Sequence, residues 1–250
     1  MLKAHQAFKE SPYELIYNED LAAILNRKSG DLGNADVIFS LGGDGTVLRA
    51  AQLALQYKKP LIGLNLGNLG FLTELRTEEL GEFLELLGKN KLKKDQRSLI
   101  RVKSGSFEKL VLNEVAIGRG PSPKLITLST YLDSEELTDL RADGLIIATP
   151  TGSTAYSMAA GGPIVVPSSS GVIFNPICSH KLANRPLILS NFEKLKVKTH
   201  SKVTLFCDGE ENLKLRAGDE LFISLAKEKL TFLRREDWSF FERLRTKLNW

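Results

Sequence analysis

The chain has 250 residues, of which 42% are hydrophobic and 26% are charged, and its formal net charge at pH 7 is +4. This composition is typical of a globular protein with one large core or two smaller ones, and the near balance of charge argues against a nucleic-acid-binding protein. No apolar run approaches the ~20 residues of a membrane span, and the N-terminus lacks the apolar core of a signal peptide. We therefore expect a cytoplasmic protein that binds neither nucleic acid nor membranes.

The cysteines argue against a structural zinc site. Cys178 and Cys207 are far apart in sequence and have no neighbouring cluster of cysteine or histidine, so we expect two buried thiols rather than metal ligands. Basic residues gather at 91–94 and at Arg234 and Arg235. Short charge runs of this kind usually lie on a solvent-exposed face, and we expect the same of both.

In the first ninety residues, helix-like and strand-like segments alternate. Apolar spacing near 3.6 predicts helices, and continuous apolar runs bounded by glycine or proline predict buried strands. We predict helices over residues 1–10, 21–28, 46–57 and 77–90, and strands over 13–20, 35–41 and 59–65. This alternation favours an α/β domain with a parallel sheet, which we assign to residues 1–97.

From about residue 98 the pattern changes to short apolar segments separated by Gly, Asp and Ser. Such spacing predicts a strand-rich second domain over residues 98–232, which only the helix-like stretch 151–162 interrupts. We assign residues 233–250 to a separate C-terminal tail. The pattern of residues 238–248 predicts a short amphipathic helix within it.

The sequence Gly42-Gly43-Asp44-Gly45 joins a predicted buried strand to a predicted helix. Loops at that edge of a parallel sheet bind ligands, and glycines there let backbone N–H groups approach a phosphate. An ionised aspartate would repel the phosphate, so Asp44 suits a hydroxyl proton or a metal ion that the phosphates carry. The alternative is that Asp44 only caps the following helix. Neither the dinucleotide-binding pattern Gly-x-Gly-x-x-Gly nor the P-loop pattern occurs here.

Three other segments place glycine or polar residues beside predicted strands. Residues 149–154 carry four hydroxyl side chains at the start of a helix, which suits phosphate or ribose binding but also ordinary helix capping. Asn113 and Glu114 interrupt an apolar strand, where they either bind a sugar diol or face solvent. Residues 65–75 contain a glycine-rich turn, in which Phe71 either offers its face to a base or packs in the core.

Taken together, six segments resemble the NAD kinase family. They are residues 42–51, 65–75, 113–120, 142–165, 180–189 and 240–250, and they follow the family's order over nearly the whole chain from residue 35. Gly-Gly-Asp-Gly alone is less specific, because lipid kinases share it and phosphofructokinases have a similar loop. The Asn-Glu pair and the segment Thr-Pro-Thr-Gly-Ser-Thr-Ala-Tyr make the resemblance far more specific.

The resemblance implies an N-terminal α/β domain, a β-sandwich-like C-terminal domain and a tail that returns to the first domain. It implies transfer of the γ-phosphoryl group of ATP, or of inorganic polyphosphate in some members, to the 2′-hydroxyl of the adenosine ribose of NAD, which makes NADP. It also implies a homodimer or homotetramer, and a divalent ion, Mg²⁺, that arrives with ATP.

Carried over to this sequence, the resemblance makes Asp44 the proton acceptor at the 2′-hydroxyl, with Gly45 and Arg49 beside it. Phe71 would lie near the adenine end of NAD. In the strand-rich domain, Asn113 and Glu114 would hold ribose hydroxyls. The other nucleotide-binding residues that the resemblance implies are Lys124, Arg141, Asp143, Thr154, Ala155, Tyr156, Ser157, Met158, Ala159 and Glu210, the last of which stands where many relatives have Gln.

Two rival interpretations remain open. A kinase that phosphorylates a lipid would need an apolar cleft or a membrane-facing helix, and no amphipathic membrane helix is evident in the sequence. A non-catalytic NAD-binding sensor would keep the nucleotide pocket without the chemistry, and the intact Asp44 argues against it.

Overall fold

The computed structural model describes residues 2–67, 70–181 and 183–250. The chain divides into two compact units. Unit 1 comprises Met1–Gln96 together with Leu230–Trp250, and unit 2 comprises Arg97–Lys229. Unit 1 is therefore built from both ends of the chain. Among the described residues, no helix combines the length and the apolar composition needed to cross a membrane.

Six helices and fifteen strands are assigned over the described residues. The helices are α1 Leu2–Lys9, α2 Glu19–Leu25, α3 Asp44–Tyr57, α4 Leu80–Gly88, α5 Tyr156–Ala159 and α6 Phe240–Leu248. The strands are β1 Ile38–Leu41, β2 Leu61–Asn65, β3 Leu75–Arg76, β4 Lys93–Ser104, β5 Phe107–Val111, β6 Glu114–Gly118, β7 Ile126–Leu132, β8 Glu135–Ala142, β9 Gly144–Ala148, β10 Val172–Ile177, β11 Leu187–Leu189, β12 Leu195–Thr199, β13 Val203–Cys207, β14 Glu210–Leu215 and β15 Glu220–Arg234.

Unit 1 has a parallel sheet centred on β2. Strand β2 pairs in parallel with β1 on one side, and with β3 and the end of β15 on the other, where Phe232 lies opposite Leu61. All five residues of β2 are buried, as expected for a strand that is covered on both faces. Its side chains pack with those of α1 and α4 in a core that includes Phe8, Leu64 and Phe83. The predicted parallel α/β domain is confirmed.

The strand predicted over residues 13–20 is wrong. Residues 13–18 pair with no strand in the described part of the chain, and α2 already begins at Glu19. Asn18 ends the extended segment because its side chain accepts a hydrogen bond from the backbone N–H of Leu21 (3.3 Å) and so caps α2. An apolar alternation favours an extended backbone, but a strand also needs a partner at hydrogen-bonding distance.

Unit 2 contains two antiparallel sets of strands that share one core. The first is a six-stranded sheet in the order β11-β10-β9-β6-β13-β14. In the second, β7 pairs with β8 and β12, and β12 pairs with the first half of β15. Side chains from both sets, such as Ile147 and Leu205 from the first and Leu128 and Val197 from the second, belong to one buried cluster. This arrangement confirms the predicted β-sandwich-like domain.

Two expectations about burial are wrong. Cys207 is buried on β13, where burial raises the pKa of its thiol to about 12, but Cys178 is exposed just beyond the end of β10. Arg234 does not lie on a solvated face, because its side chain is fully buried in unit 1. The cause is a pair of carboxylates, Glu74 and Asp95, that contact its guanidinium group at 3.1 and 3.0 Å.

Candidate active site

The loop Gly42–Gly45 leaves the carboxyl end of β1 and leads directly into α3, a helix of 14 residues. Gly43 and Gly45 are exposed, and a Cβ atom built at either position meets no atom of the described residues within 4 Å. Packing therefore does not require glycine at these two positions. What the glycines provide is open backbone beside the first turn of a helix, where unpaired N–H groups and the helix dipole favour an anion.

Asp44 is the first residue of α3, and its carboxylate turns to a neighbouring loop rather than to its own helix. Its two oxygens accept hydrogen bonds from the backbone N–H groups of Phe71 (2.8 Å) and Leu72 (3.0 Å). No side-chain hydrogen bond caps the start of α3. The alternative that Asp44 only caps this helix is therefore wrong. The loop passes so close that a Cβ atom at Gly70 would overlap the carboxylate. Asp44 is thus held in one orientation while its lone pairs remain partly free.

The side chains of Phe71 and Arg49 contact different parts of unit 1. The ring of Phe71 is half-buried, with its centroid 6.4 Å from that of Phe240 in α6. Arg49 lies exposed on α3 and lines a cavity of about 910 Å³ between α1, residues 13–18, β1 and α3. Neither Asp44 nor Gly45 nor Phe71 lines this cavity, so it is separate from the surface that surrounds the carboxylate.

In unit 2, Asn113 and Glu114 lie at the start of β6, against the turn that follows β9. The N–H of Thr149 donates to the carbonyl oxygen of Asn113 (2.8 Å), and the Thr149 hydroxyl donates to that of Leu112 (2.6 Å). A Cβ atom at Gly152 would overlap the Asn113 carbonyl group. The structure therefore brings the Asn-Glu pair and the hydroxyl-rich turn into direct contact, although 35 or more residues separate them in sequence.

Asp208 fixes the Asn-Glu pair from the other side. Its carboxylate accepts hydrogen bonds from the backbone N–H groups of Leu112 (3.0 Å), Asn113 (2.7 Å) and Glu114 (3.3 Å). Its own N–H donates to the carbonyl oxygen of Glu114 (3.0 Å). This role of Asp208 was not predicted from the sequence. The available signal was the Asp-Gly dipeptide, which predicts a tight hairpin turn, and both Asp208 (φ 51°) and Gly209 (φ 82°) have positive φ.

The Glu114 carboxyl group is buried and only partly satisfied. Its side chain is 6% exposed, and its Oε2 has no hydrogen-bond partner among the described residues. Burial, helped by the negative charge of Asp208, raises the pKa of Glu114 to about 7, while the backbone N–H of Tyr156 acts in the opposite direction. The Oδ1 atom of Asn113 is also buried, and no described residue donates a hydrogen bond to it. Two buried acceptors of this kind suit a ligand that brings hydroxyl donors.

Hydroxyl groups in the segment after β9 already have structural partners. Ser153 donates to the carbonyl oxygen of Pro150 (2.7 Å) and accepts from the N–H of Val165 (3.0 Å). The Ser157 hydroxyl accepts from the side-chain amide of the fully buried Asn175 (3.2 Å). Tyr156, in contrast, is 47% exposed and free to pack on a ligand. The other predicted residues of this segment are half-buried (Thr154, Ala155, Met158) or exposed (Ala159).

Four more predicted residues belong to unit 2. Lys124 is exposed in the loop before β7, Arg141 is exposed near the end of β8, and Glu210 is exposed at the start of β14. Asp143 is half-buried and lies 3.5 Å from the guanidinium group of Arg119. Glu210 pairs with Cys207, which in turn pairs with Val115, so Glu210 lies in the hairpin beside the Asn-Glu pair. Within the described ranges, no hydrogen bond or ion pair joins Lys124, Arg141 or Asp143 to Glu114.

Comparison with known proteins identifies the family. Residues 13–92 match the model of the ATP-NAD kinase N-terminal domain, and residues 112–235 match that of the ATP-NAD kinase C-terminal domain. A curated NAD kinase from Ruminiclostridium cellulolyticum is 39% identical over 224 residues, which cover 86% of this chain and 78% of that relative. The chain belongs to the NAD kinase family.

Other NAD kinases agree over still more of the chain. One from Aquifex aeolicus is 37% identical over 245 residues, covering 95% of this chain and 88% of the relative. The crystal structure of yeast NADH kinase complexed with NADH matches with a TM-score of 0.89 at 27% identity, covering 100% of this chain and 85% of that one. The structure of an NAD kinase from Archaeoglobus fulgidus in complex with ATP matches with a TM-score of 0.71 at 29% identity, covering 92% and 91%.

As an NAD kinase, the chain is a phosphotransferase enzyme. Two carboxylates beside the candidate site residues were not predicted from the sequence. The buried Glu74 lies at the end of the loop 70–74, whose N–H groups bind Asp44, and the half-buried Asp208 accepts from the N–H groups of Asn113 and Glu114. A lone carboxylate in a strand or a turn carries no local sign of such a role, because its partners are distant in sequence.

Proposed function

We propose that this NAD kinase transfers the γ-phosphoryl group of ATP to the 2′-hydroxyl of the adenosine ribose of NAD, with Asp44 as proton acceptor. The observation that carries the proposal is the Asp44 carboxylate, which two backbone N–H groups orient at the start of α3 between the exposed Gly43 and Gly45. A kinase needs a proton acceptor at the hydroxyl that it phosphorylates and N–H donors for the phosphates. Asp44 supplies an oriented carboxylate, and the exposed backbone beside it can supply the N–H donors.

In the proposed reaction the ribose 2′-oxygen forms a bond to the γ-phosphorus, and the bond from that phosphorus to the β–γ bridging oxygen breaks, so that ADP leaves. The 2′-hydroxyl proton passes to the Asp44 carboxylate. Phosphoryl transfer depends mostly on positioning and charge neutralisation, because its transition state is loose. The loop Gly42–Gly45 supplies N–H donors for the phosphates, and Asn113 and Glu114 supply acceptors for ribose hydroxyls.

Mg²⁺ enters this proposal as part of the ATP substrate. The described residues contain no group of three or more His, Cys, Asp or Glu side chains that could hold a metal ion. The ion would therefore take most of its ligands from the phosphates and from water, as Mg²⁺ commonly does at nucleotide sites. We further propose a cytoplasmic homodimer or homotetramer, which size-exclusion chromatography with light scattering tests directly.

The deciding experiment incubates the purified protein with NAD, ATP and Mg²⁺ and measures NADP with an NADP-specific dehydrogenase. We expect NADP to form, and parallel reactions replace NAD by NADH and ATP by inorganic polyphosphate. Diacylglycerol and sphingosine serve as acceptors in a further arm, and their phosphorylation in place of NAD would support a lipid kinase. Calorimetric binding of NAD without any NADP would support a sensor and overturn the proposed catalysis.

A further inference from the structure

The loop that contacts Asp44 is held from two directions, both within unit 1. On one side, the N–H groups of Phe71 and Leu72 donate to the two oxygens of the Asp44 carboxylate. Any shift of this loop therefore moves or turns the carboxylate. On the other side lies Glu74, whose side chain is 1% exposed.

Glu74 is the centre of a buried network that uses C-terminal residues. Its carboxylate accepts from the Arg234 guanidinium group (3.1 Å) and from the backbone N–H of Arg235 (2.8 Å). Its carbonyl oxygen accepts from the guanidinium group of Arg243 in α6 (3.0 Å), and its N–H donates to the carbonyl oxygen of Gly63 in β2 (2.6 Å). Every hydrogen-bonding group of Glu74 thus has a partner at a fixed place.

Arg234 also contacts the loop directly. Its Nη1 donates to the carbonyl oxygen of Leu72 (3.3 Å), the residue whose N–H binds Asp44. The guanidinium carbon lies over two aromatic rings, 4.8 Å from the centroid of Phe232 and 4.2 Å from that of Trp238. Cation–π contacts of this kind favour the charged group at this position.

Stability alone is a weak explanation for such a network. Desolvation of a buried ion pair offsets most of its attraction, and well-packed apolar side chains often stabilise a core equally well. Burial also lowers the pKa of the Arg243 guanidinium group, because the charged form loses its contact with water. A buried pair with several directed hydrogen bonds does define geometry more narrowly than an apolar contact does.

We propose that Glu74, held by Arg234 and Arg243, is a positioning residue that sets the orientation of the Asp44 carboxylate through the loop 70–74. The inference rests on the proposed function of Asp44. It makes the turnover of the enzyme depend on residues at the C-terminal end of the chain, which act through the loop and not by contact with either substrate.

The test compares Arg243→Gln with the matched control Arg235→Gln, whose side chain pairs only with the partly exposed Glu79 and with Asp237 in the described part of the chain. We expect Arg243→Gln to lower kcat by about 10- to 100-fold, the scale of a small misplacement of a reacting group. KM for NAD and ATP should stay within about twofold, since no substrate contact is removed. In the Asp44→Asn background, Arg243→Gln should lower kcat little further, because the carboxylate whose position it changes is already absent.

Amide hydrogen exchange gives a readout that does not depend on activity. Arg243→Gln should accelerate exchange of the Phe71 and Leu72 amides by at least about tenfold, and Arg235→Gln should leave both unchanged. Accelerated exchange in Arg243→Gln, together with a wild-type protein that makes no NADP, would support the loop contact and refute only the proposed function. Equal loss of kcat with and without Asp44, or unchanged exchange, would overturn the positioning role. If Arg243→Gln does not fold, Arg243→Lys carries the same test, and unchanged exchange and kcat in that variant count against the proposal.

Discussion

The backbone of Gly152 lies directly against the carbonyl group of Asn113, with no room between them for a Cβ atom. The contact joins the turn after β9 to the start of β6. We expect Gly152→Ala to destabilise the protein by about 1–3 kcal/mol, because the overlapping atoms belong to the backbone and cannot rotate away. The free energy of unfolding in urea measures this, and KM for NAD should rise as Asn113 and Glu114 shift.

The matched control for that substitution is Gly81→Ala. Gly81 is exposed on α4, and a Cβ atom there meets no other atom within 4 Å. We expect this variant to be more stable than the wild type by about 0.5–1 kcal/mol, with unchanged KM, because alanine loses less backbone entropy than glycine in a helix. If both substitutions changed the free energy of unfolding and KM for NAD equally, the contact between Gly152 and Asn113 would be unimportant for both.

Asp44→Asn tests the proton acceptor. The amide keeps the size of the side chain but removes the charge and turns an N–H₂ group toward a backbone N–H. We expect kcat to fall at least ~10²-fold, the usual scale for a positioned acid–base group. Thermal unfolding should show only a modest loss of stability, from one lost hydrogen bond.

Thr73→Val separates catalysis from support of the loop. The Thr73 hydroxyl accepts from the N–H of Gly70 (2.8 Å) in the loop that contacts Asp44, and Thr73 is fully buried. Valine removes that acceptor and leaves the carboxylate in place. We expect a loss of kcat within about tenfold. A loss as large as that of Asp44→Asn would mean that turnover depends on the loop as strongly as on the Asp44 carboxylate itself.

Gly45→Ala tests the phosphate-binding role of the glycine loop. A Cβ atom at position 45 meets no atom within 4 Å in the part of the chain that the structure describes, and the residue lies in the first turn of α3. We therefore expect stability to be unchanged or to rise by about 0.5–1 kcal/mol. KM for ATP should rise, because the added methyl group occupies the space in which the backbone would approach a phosphate. A variant with normal KM for ATP and kcat would exclude close contact there.

The buried Glu114 predicts a pH-dependent stability. Burial and the charge of Asp208 raise its pKa in the folded protein to about 7, from 4.5 in the unfolded chain. The folded state therefore holds this proton more tightly, so the stabilising contribution is complete below about pH 4.5 and disappears as the pH rises through about 7. Urea unfolding at several pH values should show the free energy of unfolding decreasing across that interval. Glu114→Gln should flatten the decrease, and Glu210→Gln, which changes an exposed carboxylate, should not.

Much of the local structure could be predicted from sequence, and the contacts that build the site could not. Strand β2 and helix α3 follow from apolar runs and helical spacing, which are properties of neighbouring residues. The bonds from Asp44 to Phe71 and Leu72 span 27 and 28 residues, and that from Arg234 to Glu74 spans 160. Such contacts depend on how the elements pack against one another, and no pattern among neighbouring residues predicts that packing.

Residues 234 and 235 illustrate the difference. Two adjacent arginines usually indicate a solvated face, yet the side chain of Arg234 is fully buried and that of Arg235 is one-quarter exposed. Arg234 is the last residue of β15, and its side chain enters the core, where it needs carboxylate partners, whereas Arg235 lies just beyond the strand. The identity of those partners is known only from the fold.

The division of unit 1 between the two ends of the chain has a consequence for synthesis on the ribosome. A nascent chain that stops before Leu230 has β2 without the neighbour that faces Leu61, and Glu74 without either of its arginines. Such an intermediate exposes an unpaired strand edge and an uncompensated buried carboxylate, features that chaperones recognise and that favour aggregation. The loop whose N–H groups bind Asp44 therefore gains its contacts with Arg234 and Arg243 only after both arginines have been translated, so premature termination leaves the Asp44 carboxylate without that support.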